Sequence, residues 1–133
     1  MYIHSFCSSS PAGFITENSS SDSLKLINAA QSACIEPDYK DLIPVMQLRR
    51  MTKPVRTGVA TAKLCLQQSP KATPNAIHVG TAYGMLQDSE NFLQKIIEQE
   101  EQMLAPTAFI QSTHNTVAGQ IALSLGWYAH HMT

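Results

Sequence analysis

Cys7, Cys34, Cys65 and the five histidines are the first candidates in this chain for nucleophilic or metal-binding chemistry. The cysteines are widely spaced, with no Cys-x-x-Cys pair, which fits reduced thiols better than a disulfide framework or a zinc site. Cys65 falls on or beside the apolar stripe of an expected helix, and Cys34 has a similar place. A reactive cysteine needs an electropositive, accessible setting, so both read as buried, inert thiols. His130-His131 invites a reading as a ligand pair. Neighbouring side chains point apart on strand and helix alike, however, and no third ligand stands at a suitable spacing, so no metal is expected. His114 sits in a polar turn, where bonding to backbone is a simpler role than chemistry. Gly80-Thr81-Ala82-Tyr83-Gly84 lacks the lysine and third glycine of a phosphate loop and reads as a tight turn beside a neighbour. No catalytic residue and no cofactor follow from these groups.

Arg49, Arg50, Lys53 and Arg56 form a local concentration of positive charge. Positions 49, 53 and 56 share a face if a helix starts early. The fork geometry of arginine suits a phosphate or an acidic helix. A solvated basic turn, paired locally to Asp41 or Glu36, accounts for the same residues. Elsewhere the charge is balanced, with nine Lys and Arg against ten Asp and Glu and a pI near 6.5. That gives no nucleic-acid footprint. No apolar run of about 18 residues spans a membrane, and no charged segment followed by an apolar one marks a signal peptide. A cytoplasmic protein of one domain is expected.

The elements that must position these groups follow from pattern. Met1 to Cys7 alternates Tyr2, His4 and Phe6 against Ile3, Ser5 and Cys7, which predicts a first strand. Ser8 to Ser23, rich in serine with Pro11 and Gly13, predicts loop. Leu24 to Cys34 has helical spacing, with Ser21, Asp22 or Ser23 as cap. Glu36-Pro37-Asp38-Tyr39 reads as a turn. Thr52 can cap a helix carrying Val55, Val59, Ala62 and Leu66, with Pro54 tolerated in its first turn and an end near Ser69-Pro70. Ala76 to Gly80 is a short apolar strand. Asp88 or Ser89 is expected to cap an amphipathic helix through Phe92, Leu93, Ile96, Ile97, Met103 and Leu104, stopped by Ala105-Pro106. Strand, helix, helix, strand, helix, helix indicates an α/β layered domain. Two strands make a thin sheet, so more strands or another chain are expected to cover the helices.

The chain is organised around Pro106 to Gly126. A proline is followed by a polar Gln-Ser-Thr-His-Asn turn and then by Val117, Ile121 and Leu125 on one helical face. Ala118, Gly119 and Ala122 make a face with almost no side chain. A mid-helix glycine costs about 1 kcal/mol relative to alanine, so Gly119 suggests close approach of another backbone. An ordinary buried helix packed on its own sheet accounts for the same face.

The string from Pro106 to Leu123, Pro-Thr-Ala-Phe-Ile-Gln-Ser-Thr-His-Asn-Thr-Val-Ala-Gly-Gln-Ile-Ala-Leu, resembles the segment leading to the active-site cysteine of β-ketoacyl synthases, condensing enzymes of the thiolase fold. It looks most like the chain-length-factor-type proteins of aryl polyene and flexirubin pigment clusters. Met1 to Cys7, Gln47 to Thr52 and the Val-Gly-Thr-x-x-Gly pattern of Ala76 to Gly84 match earlier parts of the family. The resemblance implies a partial thiolase-like layered domain over residues 1–133, the front part of a ketosynthase, truncated before the usual nucleophile position. The reaction uses a cysteine thiolate and two histidines. The family places that cysteine just past Thr133 and the histidines later, so no residue here is carried over as catalytic.

The resemblance further implies Arg49 and Arg50 as contacts for an acidic acyl carrier protein. It implies a dimer interface at Ala118, Gly119 and Ala122, made with a catalytic ketosynthase or a second copy. The function so implied is a non-catalytic subunit of fatty-acid or polyketide-type biosynthesis. Two alternatives stand beside it: the N-terminal half of an active acyltransferase, and a stand-alone α/β interaction module.

Overall fold

The computed structural model describes residues 3–10, 13–16, 18–19, 36, 38–69, 74–128 and 130–133. The helix expected at residues 24–34, its cap and Cys34 lie outside the described residues, as do Met1 and Tyr2.

The first strands are displaced from expectation. β1 (Cys7–Ser10) and β2 (Gly13–Thr16) form an antiparallel hairpin with Cys7 opposite Thr16 and Ser10 opposite Gly13. The serine-rich stretch expected as loop therefore begins as sheet, its backbone groups satisfied across the ladder. Residues 3–6, expected as strand, are not in one. They lie along a helix instead, held by its side chains. Ser69 Oγ donates to the His4 carbonyl at 3.1 Å and Gln68 Nε2 to the Phe6 carbonyl at 3.3 Å. Ser5 Oγ in turn donates to the Cys65 carbonyl at 2.9 Å.

Tyr39 and Ile43 are buried just before α1 (Val45–Leu48), a single turn opened by Pro44. After a turn, α2 (Lys53–Gln68) begins with Thr52 at the N-cap and Pro54 in its first turn, as expected; the Thr52 hydroxyl makes no capping bond. Val55, Val59 and Ala60 are its buried face. With Tyr39, Ile43, Met85 and Ile121 they make the core, in which Ile43, Val55 and Val59 are the largest fully buried side chains.

β3 (Ala76–His78) lies where the apolar run predicts a strand. The turn after it closes with the Gly84 N–H donating to Thr81 Oγ1 at 3.0 Å, and Gly84 takes a left-handed φ of 57°. α3 (Leu86–Glu98) starts a turn before expectation, with Met85 rather than Asp88 or Ser89 at the cap position. The Ser89 hydroxyl is already committed to the Met85 carbonyl at 3.0 Å and the Ser112 carbonyl at 2.8 Å. α3 also ends at Glu98, not at Leu104. Glu98, Glu100 and Glu101 crowd negative charge at the negative end of the helix dipole. Glu100, Glu101 and Met103 take left-handed φ values of 48°, 64° and 51°, and the Glu101 N–H caps the Ile96 carbonyl at 3.0 Å.

Pro106, expected to follow a long helix as its breaker, opens α4 (Pro106–Ser112). α4 packs on α3, with the rings of Phe92 and Phe109 5.7 Å apart. The polar turn then leads into α5 (Thr116–Leu125), which has Asn115 at its N-cap and Gly126 in a left-handed C-cap with φ 64°. β4 (His130–Met132), where no strand was expected, pairs parallel with β3, Ala76 opposite His130 and His78 opposite Met132. α2 packs against α5 and the hairpin, and α5 against β3 and β4. The described fold is a mixed α/β domain with the partial thiolase-like layout that the resemblance implied, its four strands in two separate pairs.

Candidate functional site

The basic group divides in two. Glu36 draws Arg56 into an ion pair at 2.6 Å and Lys53 into a longer one at 3.7 Å. The Arg56 guanidinium also stands 5.8 Å over the Tyr39 ring, whose hydroxyl is 3.1 Å from Thr57 Oγ1. Arg56 and Lys53 are therefore structural partners of Glu36, one of the two local pairings the sequence left open. Arg49 caps the C-terminus of α1 and Arg50 follows it, both exposed. Among the described residues neither has a carboxylate within ion-pair distance. The shared face expected for positions 49, 53 and 56 does not form, because α1 ends at Leu48 and α2 restarts at Lys53.

Arg50 leads into an open groove of about 310 Å³ between the α1–α2 turn and α4–α5. Met51, Ile110, Gln111, Gln120 and Leu123 line it with Arg50. The floor is anchored by Gln111, whose side-chain amide donates to the Arg50 carbonyl. Ile110 and Leu123 are exposed, Leu123 by 72%. The groove thus joins apolar side chains to one free guanidinium, a combination that takes an acidic partner with an apolar face. Sequence spacing gave no sign of it, since its walls come from three separate elements.

The small-residue face of α5 is split as well. Ala118 and Ala122 are buried within this chain. A Cβ added to Gly119 would meet nothing within 4 Å, so among the described residues no backbone closes on Gly119. The close approach between α2 and α5 is at Gly58, where an added Cβ would lie 2.8 Å from Val117 Cγ1. The signal was present, because Gly58 falls on the same helical stripe as Val55, Val59 and Ala62.

The thiols are quiet. Cys65 Sγ lies 3.2 Å from Ser5 Oγ. Burial pushes the Cys7 thiol above its usual 9.0, and the nearby Cys65 adds to the shift. That is the reverse of what a nucleophile needs. His114 is exposed in its turn. His78 and His130 face one another across β3 and β4 with ring centroids 6.4 Å apart, and among the described residues no cluster of three or more metal-ligating side chains forms. Among the same residues no helix is long and apolar enough to cross a membrane.

Residues 23–132 match the family model described as beta-ketoacyl synthase, N-terminal domain. No curated protein and no solved structure matches the chain. The family match begins ahead of α1, takes in the basic turn, the groove and α5, and reaches the last strand. The chain belongs to the β-ketoacyl synthase N-terminal domain family.

Proposed function

We propose that this protein acts as a ketosynthase-like, non-catalytic subunit of the chain-length-factor type. Its setting is the biosynthesis of fatty-acid or polyketide-like chains, in particular aryl polyene pigments, and it works in the cytoplasm beside a catalytic ketosynthase. In this reading residues 1–133 correspond to the part of a ketosynthase that precedes the nucleophile. The non-catalytic role rests on the resemblance of Pro106 to Leu123 to the chain-length-factor branch, and the described thiols offer no substitute nucleophile. Condensation needs a thiolate that accepts an acyl chain and histidines that hold the developing oxyanion. Cys7 is held as a thiol by burial, Cys65 sits against Ser5, and among the described residues neither has a histidine hydrogen-bonded to it.

The subunit's contribution is then packing. α5 is the helix that meets the partner, with Gly119 as the position where another backbone has room. Ala118 and Ala122 let the same helix sit closely on its own chain beneath that contact. Arg49 and Arg50, exposed at the end of α1, are the proposed contacts for an acidic acyl carrier protein. The resemblance of Pro106 to Leu123 supports the pigment-cluster assignment.

The decisive experiment is light scattering after gel filtration on the chain alone and mixed with a candidate ketosynthase. A one-to-one heterodimer is expected, and Gly119→Leu should abolish it while leaving the circular dichroism unchanged. A chain indifferent to the ketosynthase overturns the reading. For the carrier contact, Arg49→Glu with Arg50→Glu should weaken carrier-protein binding at least tenfold, roughly what reversing two exposed charges does to an electrostatic interface. Unchanged affinity would remove Arg49 and Arg50 from the site.

A further inference from the structure

α3 has a wide apolar arc, of which α4 covers only half. Phe92 and Ile96 face inward, while Leu86, Leu93 and Ile97 are exposed, Ile97 by 78%. The three fall within a narrow sector of the helix and run for about 16 Å along it at 1.5 Å per residue. Glu90 stands at the edge of that stripe, and Glu98, Glu100 and Glu101 gather at its C-terminal end, all exposed. Among the described residues none of them is in an ion pair. Lys95, the only basic residue of α3, lies on the opposite side of the helix.

The same chain carries the complement. In α1 the exposed apolar side chains Val45 and Met46 precede Arg49 and Arg50, and the groove beside Arg50 adds Ile110 and Leu123. One face is apolar with an acidic rim and the other apolar with a basic rim. Among the described residues neither rim is in an ion pair, and Glu98 accepts a hydrogen bond from Gln94 Nε2 of its own helix at 2.8 Å.

We propose that a second copy of this chain occupies the groove, inserting its α3 stripe against Ile110 and Leu123 with Glu98 and Glu101 meeting Arg49 and Arg50. The contact joins two different surfaces, so it is heterologous, and the pair retains one free acidic face on one copy and one free basic face on the other. It extends head to tail and is not a two-fold dimer. Because it uses Arg49 and Arg50, it competes with any acidic carrier bound there and so withholds the site when the protein is concentrated and unpartnered. The competition rests on the carrier contact proposed above, whereas the self-association does not.

The test is charge exchange between copies. Light scattering over a wide concentration range should show mass rising beyond a dimer at low salt and falling as salt screens the rims. Arg49→Glu with Arg50→Glu, and separately Glu98→Lys with Glu101→Lys, should each weaken self-association roughly tenfold or more. All four side chains are exposed, so circular dichroism should stay that of the parent. Carrying all four substitutions in one chain should restore association. Mixing the two double variants gives the sharper result. The native faces left on each should meet, and the two reversed faces are complementary as well, so the mixture should extend by alternation of the two variants where neither extends alone. A parent monomeric at every concentration overturns the proposal. So does a closed dimer, or an assembly indifferent to both double variants.

Discussion

Gly58 and Gly119 show how little a residue type says until its surroundings are known. Both are mid-helix glycines, yet only Gly58 faces a close neighbour, Val117. Gly58→Ala should gain helix propensity but overpack against a stiff β-branched side chain, leaving the protein about 1 kcal/mol less stable. In a Val117→Ala background the same change should become neutral or stabilising, and a double-mutant cycle read by urea denaturation would measure the coupling. Val59→Ala removes two buried methyl groups and should cost roughly 2 kcal/mol with its cavity. Cys7 carries a pH signature. Its folded thiol titrates above the unfolded value of 9.0 because burial disfavours the thiolate. The folded state therefore holds that proton more tightly, and the resulting stability is fully present below pH 9 and lost as pH rises through the folded value. Urea midpoints measured either side of pH 9 should fall more for the parent than for Cys7→Ala. Alkylation of Cys7 by iodoacetamide should also be slower than that of a free thiol.

Among the elements, α2 was legible because its signals are local: a cap position at Thr52, Pro54 in the first turn and an apolar stripe ending before Ser69. α3 was misread at both ends for a physical reason. Its start is hidden because Met85 is not a capping residue type, and its stop is made by three non-glycine residues in left-handed conformation. Such a conformation costs an ordinary side chain roughly 1–2 kcal/mol. Glu101→Gly should relieve that cost and raise stability by about 1 kcal/mol, a shift of about 4 °C in Tm for a chain of this size. A lower Tm would mean that the Glu101 side chain contributes more than its backbone strain removes. β1 was hidden in serines, which have no apolar alternation to show, and β2 is four residues beginning with a glycine, too short for alternation to show. β4 was hidden because His130-His131-Met132 makes a strand only where β3 offers a ladder.

For the whole molecule, composition and element order were enough for an α/β class, and the string from Pro106 to Leu123 was enough for the family. The candidate site was less legible. Arg49 and Arg50 stand apart from Lys53 and Arg56 only because Glu36 claims the second pair. The groove brings together residues of α1, the α1–α2 turn, α4 and α5, with Gln111 reaching back from α4 to the Arg50 backbone. Both depend on residues distant in sequence meeting in space, which no local pattern encodes.

The β3–β4 ladder also orders events in time. β3 emerges before α3, α4 and α5, and its partner comes after all three. Closing so long a loop costs entropy that a three-residue parallel ladder repays slowly. The α3–α4 pair has only a short connection to close and can form while β3 still waits. Ile77→Ala and Met132→Ala should therefore accelerate unfolding and leave the refolding rate nearly unchanged, whereas Phe92→Ala, at the contact with Phe109, should slow refolding. The β3–β4 ladder should then be the last part of the described fold to lock and the first to let go.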